Sequence, residues 1–179
     1  VKAFHQACER KAWGDGKRMI LIRGELFEVP PMKPLHATGI RLVNAVLPRV
    51  FPAEYVIQVQ LPLVLDLETD PIPDFAVVAG DVRTFLTAHP TTASLVVEIA
   101  STSLDADLTT KAELYATAMI TEYWVLDLHN RRLYVLRDPV PVPGNGVASY
   151  RTQLTYAEAD TVSPLAVPDK SIKVADLLP

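Results

Sequence analysis

"LVVEIASTSLDADLTTKAELYATA" (95–118), with "EYWVLD" at 122–127 behind it, decides how this chain is read. "LVVEIA" is short and nearly all apolar, as expected of a central strand covered on both faces. The stretch from Leu104 onward carries apolar residues at helical spacing, and "EYWVLD" opens another strand. One helix between two strands, in a chain whose other strands follow one another more directly, predicts an α/β (α+β) fold with strands of mixed direction. Two charges break the pattern. Glu98 interrupts the first strand and Lys111 lies within the helix's apolar arc, positions where a charge needs compensation.

Along the strand, Glu98 shares a face with Val96 and Ala100, while Leu95, Val97 and Ile99 point the other way. Both faces are apolar, so the carboxylate enters a partly buried cleft. An unpaired ionised carboxylate there costs several kcal/mol or shifts its pKa. The structural alternative is a buried glutamate satisfied by an arginine or by backbone amides. On a wheel with Lys111 at 0°, Leu104 falls at about +20°, Tyr115 at about +40°, Leu108 at about +60° and Leu114 at about −60°. Thr109, Glu113 and Ala116 fall on the far side. Lys111 therefore points toward the sheet, against the alternative of a snorkelling lysine. Asp107, one turn earlier, is placed to pair with it or to cap the helix start.

Outward from this stretch, "TDPIPDFAVV" sets Asp74 after Pro73, so Asp74 opens its strand and shares a face with Ala76 and Val78. Its plain alternative is a strand-end carboxylate in water. "RMILIRGELFEV" (18–29) reads as two strands around Gly24, and "LHATGIRLVNAVLPRVF" as a helix. "EYVIQVQLPLVLDL" (54–67) reads as a strand with an edge or bulge at Pro62. "EYWVLDLHNRRLYVLR" reads as a hairpin, "DPVPVPGNG" as a loop, and "SPLAVPDKSIKVADLLP" as a surface-wrapping tail with a short last helix. The whole chain, 1–179, is expected to be one domain, with its core at about 18–137 and the rest packing on it.

With 49% apolar and 21% charged residues among 179, the composition excludes a disordered chain. A net charge of −4 gives no general attraction to polyanions, so a nucleic-acid site would be a local cleft drawing on Arg41, Arg49, Arg131 or Arg132. Cys8 is alone, which rules out an internal disulfide and points to the reducing cytoplasm. No apolar stretch reaches membrane-span length, and no signal-peptide core follows Val1. Trp13 and Trp124 read as packing residues, His5 and His89 as surface ones.

Two carboxylates from neighbouring strands suit a hard divalent cation, and a nearby ammonium completes a site for a phosphate ester. At these residues the sequence resembles the PD-(D/E)XK nuclease superfamily, and within it the bacterial Uma family of restriction endonucleases. The matching pieces are "RGELFEV…H" (23–36), "PDFAVV" (73–78), "LVVEIAS" (95–101), "DLTTKAELYA" (107–116) and "EYWVLD" (122–127), with the tail "SPLAVPDKSIKVADL". The resemblance implies a restriction-endonuclease-like mixed central β-sheet flanked by helices, with additional N-terminal and C-terminal hairpins. It implies cleavage of DNA phosphodiester bonds with Mg²⁺, for which Mn²⁺ substitutes. Asp74, Glu98 and the backbone carbonyl of Ile99 would hold the metal, and Lys111 would orient the attacking water. Glu25, His36 and Gln60 are supporting candidates, and a homodimer is implied by analogy with enzymes that cut both strands.

The usual lysine position, two residues after the glutamate, holds Ala100, and Lys111 on the helix is placed to fill that vacancy. Met119 stands where the resemblance implies a helix-ending glycine, so the helix is expected to stop without the usual left-handed glycine. The chief rival is a catalytically inactive nuclease-fold protein serving as a nucleic-acid-binding or protein-interaction module, favoured by the acidic net charge. A glycosidase acid/base pair has no use for an inward lysine and stands far behind.

Overall fold

A computed structural model describes residues 1–14 and 16–179. Helix α1 (Lys2–Glu9) precedes a hairpin of β1 (Met19–Ile22) and β2 (Glu25–Glu28). Its two-residue turn has both Arg23 (φ 50°) and Gly24 (φ 80°) left-handed, the turn whose twist matches paired strands. Helix α2 (Pro34–Val50) leads into β3 (Tyr55–Val59), β4 (Phe75–Ala79) and β5 (Leu95–Ala100). A helical crossover comes next in three parts: α3 (Leu104–Ala106), a wide π-type turn over Asp107–Lys111, and α4 (Ala112–Thr117). The chain then forms β6 (Glu122–Asp127), β7 (Arg132–Pro141), β8 (Ala148–Ala157), the short β9 (Thr161–Val162) and β10 (Ile172–Lys173), and a last 3₁₀ turn, Val174–Leu177.

Among the described residues the central sheet runs β3-β4-β5-β6-β7-β8. Every neighbouring pair is antiparallel except β5 and β6. That parallel pair is the one joined by the helical crossover, as a parallel connection requires. The sheet is covered on both faces. Val97, Ile99, Trp124 and Leu126 pack against Val43 and Leu47 of α2, and the C-terminal segment joins them through Val162, Val174 and Leu177. On the other face Ala76, Val96 and Val125 pack with Ala112 and Tyr115 of α4. This is the predicted mixed sheet flanked by helices.

Several local readings need correction. The strand expected over 54–67 stops at Val59, because Gln60 turns left-handed (φ 51°) and the chain beyond it is irregular. "DPVP" (138–141) is not loop but the end of β7. Beyond Arg137, which faces Glu122, β6 has ended, so no ladder with β6 needs an N–H from Pro139 or Pro141. The tail does not merely wrap the surface, since Val174 and Leu177 are fully buried. Ala116, set by the wheel on the far side, is also buried, because β8 packs on α4 there. Met119 itself adopts the left-handed conformation (φ 58°), and the Ile120 amide closes onto the Tyr115 carbonyl at 3.0 Å. The helix thus ends in the left-handed turn that usually takes glycine, here on a methionine.

Candidate functional site

The site forms where β4 and β5 part. Their ladder stops at Phe75 opposite Val97. One residue earlier in β4's approach, the Asp74 carboxylate replaces the backbone as acceptor: its Oδ2 takes the Ile99 amide at 2.8 Å. Continuing the antiparallel register sets Asp74 opposite Glu98 on the same face, and Gln60 lies on Asp74's other side, its amide on the Asp74 carbonyl at 3.1 Å.

Asp74 Oδ1 accepts from Gln60 Nε2 (3.1 Å) and is 3.0 Å from His36 Nε2. His36 comes from the first turns of α2. Gly39, three residues on, allows that helix to lie close to the sheet, for a Cβ there would meet Ile99 Cγ2 at 2.9 Å. Glu98 is 4% exposed. Its Oε1 accepts from the Tyr115 hydroxyl (2.8 Å), and its Oε2 is 3.0 Å from Lys111 Nζ. The same ammonium is 2.8 Å from Asp107 Oδ1, and Ser103 Oγ donates to Asp107 Oδ2. Asp107 and Lys111 bound the π-type turn, a widening of the helix that recurs at functional sites.

The charges do not balance. Glu98 and Asp107 share one ammonium, and Asp74 adds a third carboxylate that acts on Glu98. Burial pushes the Glu98 carboxyl up to about 7; Lys111 offsets this in part, while Asp74 and Asp107 add repulsion. Burial also pushes Asp74 up, but the hydrogen bonds from His36, the Ile99 amide and Gln60 outweigh it and hold it below the ordinary carboxylate value. The bond to Asp74 raises His36 against the opposing effect of burial, and a backbone bond with Ile99 helps. Burial pulls Lys111 down, yet Glu98 and Asp107 overcome it and keep the ammonium charged. Two neighbouring carboxyls therefore have pKa values driven apart, a pattern of sites that handle protons.

An ionised carboxylate offers about four lone-pair positions. Asp74 accepts three donors and Glu98 two, which leaves acceptor capacity on both. These are hard oxygens, suited to Mg²⁺, which takes one or two carboxylates and completes its shell with water and phosphate. Among the described residues no group of three or more His, Cys, Asp or Glu is arranged to hold a metal ion. Lys111 keeps 36% of its side-chain surface in solvent and is the accessible side of the cluster.

The residues singled out in the sequence divide into those that converge and those that do not. Asp74, Glu98, Lys111, His36 and Gln60 come together. Glu25 stands exposed on β2 and shares no hydrogen bond or ion pair with Asp74, Glu98 or Lys111. Ile99 lends its amide to Asp74 and its backbone to His36. Arg131 is committed to Glu158, so it adds nothing to a basic cleft. Sequence reasoning misses Tyr115 and Ser103. Tyr115 lies on the wheel's apolar arc beside Lys111, a signal that it reaches Glu98, but an aromatic there reads first as packing. His5, read as a surface residue, hydrogen-bonds the buried Asp70 at 2.6 Å.

A family model described as "Uma2: Putative restriction endonuclease" matches residues 1–175. Among solved structures, the chain is similar to the crystal structure of a putative nuclease belonging to DUF820 from Anabaena variabilis, with a TM-score of 0.63 and 15% identity over 89% of this chain and 88% of that one. At that identity the likeness concerns the fold. No curated protein matches the chain. Among the described residues no helix is long and apolar enough to cross a membrane.

Proposed function

This chain belongs to the Uma2 family of putative restriction endonucleases, and from that premise we propose that it is a Mg²⁺-dependent endonuclease hydrolysing DNA phosphodiester bonds at Asp74, Glu98 and Lys111. The observation that carries the reading is the pairing of two buried, incompletely satisfied carboxylates across β4 and β5 with an ammonium on the second. Asp74, Glu98 and the Ile99 carbonyl would hold the metal, which when bound supplies Lewis acidity and neutralises the carboxylate excess.

Asp74 is kept ionised by three donors, as a metal-binding carboxylate needs to be. His36 and Gln60 fix its orientation and act as positioning residues. Lys111 presents a fixed positive charge at the open side of the cluster, where it faces the phosphate and orients the attacking water. Asp107 and Tyr115 hold the amine and Glu98 in place. Burial pushes the Glu98 carboxyl up to about 7 in the absence of a cation, so metal binding would draw off its proton and ionise it. We read the whole chain as one domain, acting in the cytoplasm as a homodimer.

The test is plasmid cleavage with Mg²⁺ or Mn²⁺ by the wild type, Glu98→Ala and Lys111→Ala. Each substitution is expected to lower the rate by about 10²-fold or more. Equal rates in all three reject the assignment. The net charge of −4 favours the rival, an inactive binding module. Calorimetry without binding of Mg²⁺ or Mn²⁺ at millimolar concentration would decide for it.

A further inference from the structure

The sheet's β3 edge, on the face away from Glu98, has the features of a second binding surface. β3 ends the sheet. The Gln60 amide donates to Asp74 and the Gly80 amide to the Glu54 carbonyl (2.8 Å), so even-numbered residues of β3 bond β4. The N–H and C=O groups of Ile57 and Val59 therefore turn outward, beyond which the sheet has no further strand. Such edges are normally blunted by lysine, proline or a bulge. "YVIQV" has none of these.

Beside this edge lies a groove of about 660 Å³ between β3 and the end of α2. Pro48, Phe51, Tyr55 and Ile57 give it an apolar lining, which Arg49 and Lys170 share. Among the described residues no acidic side chain lines it, in a protein whose net charge is −4. An open edge and an apolar groove between helix and strand, with cations in its lining, are what an added strand requires.

We propose that β3 and this groove bind an extended acidic peptide, which pairs with Ile57 and Val59 as a seventh strand and places its carboxylates against Arg49 and Lys170. Alternating donors and acceptors along the edge match a polypeptide backbone, whereas a nucleic acid would leave the Ile57 and Val59 amide groups and the apolar lining unused. A second copy pairing through the same edge would bring like charges together around the two-fold axis.

A fluorescent probe peptide, Thr-Val-Thr-Ile-Thr-Asp-Thr-Glu, puts its Val, Ile, Asp and Glu on one face when extended. Titrated into the full chain, it is expected to bind and to slow amide exchange at Ile57 and Val59. Arg49→Glu with Lys170→Glu should weaken it by about tenfold or more, and a peptide with lysine at both acidic positions should bind only that double variant. Glu98→Ala should bind like the wild type, which separates this surface from the cleavage site. The proposal is overturned if exchange at Ile57 and Val59 is unchanged at millimolar peptide or if charge reversal leaves affinity unaltered. It is also overturned if a single-stranded oligonucleotide displaces the peptide, or if sedimentation shows a dimer that the double variant dissociates.

Discussion

Glu98 on β5 and Glu122 on β6 occupy adjacent strands, lie out of solvent, and each meets a basic side chain from another element. Their surroundings differ in one respect. Glu122 Oε1 accepts from Trp124 Nε1 (3.0 Å), Arg137 Nε (2.9 Å) and Arg137 Nη2 (2.6 Å), and Oε2 from the Leu165 amide (2.7 Å). Four donors thus reach Glu122, three of them on Oε1. Glu98 accepts two donors and faces Asp74 and Asp107. Glu122 is therefore the buried structural glutamate that sequence reading sets against a functional Glu98. A carboxylate held by four donors ties β6 and β7 to the C-terminal segment; one held by two keeps more capacity for a cation.

The sharpest way to break this contrast is to remove each cation in turn. Arg137→Met strands a buried charge at Glu122 and should cost about 3–5 kcal/mol in denaturant unfolding. Lys111→Met should cost clearly less, because Glu98, already near 7, takes up a proton instead. Equal losses would erase the distinction.

Acidity sharpens it further. The Glu98 carboxyl rises from 4.5 to about 7 on folding, so between these values the folded chain binds a proton that the unfolded chain has lost. Stability must then fall as pH rises through that window, by about 3 kcal/mol at most. His36, raised above 6.5, adds to the decline at the upper end, while Asp74, lowered from 3.8, acts only in acid and with the opposite sign. Glu98→Gln should abolish most of the slope in thermal unfolding measured across pH. A slope that survives the substitution assigns the proton elsewhere.

Legibility in the sequence runs along the same division. Glu98 and Lys111 are legible because a charge on an apolar strand or arc violates a period of about 2 or 3.6 residues. The fold is legible through the strand-helix-strand run that forces the parallel β5/β6 pair. Local pattern does not reveal how many donors a carboxylate gathers from distant segments, so the Tyr115 hydroxyl, the Ile99 amide and the close approach of α2 to Ile99 at Gly39 stay hidden. Proline misleads at Pro139 and Pro141, since only the sheet's outline shows that β6 stops short of them. Met119 misleads because a missing glycine does not exclude the left-handed turn. Its strain gives the smallest expected effect: Met119→Gly should stabilise the chain by about 1 kcal/mol in chemical unfolding, with cleavage unchanged. Destabilisation instead would mean that the side chain, not the turn, holds the helix end.

The central claim, that Asp74 and Glu98 share a cation that Glu122 cannot attract, is tested most directly by anomalous diffraction from crystals soaked in Mn²⁺. The account predicts a peak between the Asp74 and Glu98 carboxylates and none beside Glu122. Empty density at that position, with Lys111 still clasping Glu98 at saturating Mn²⁺, would contradict it.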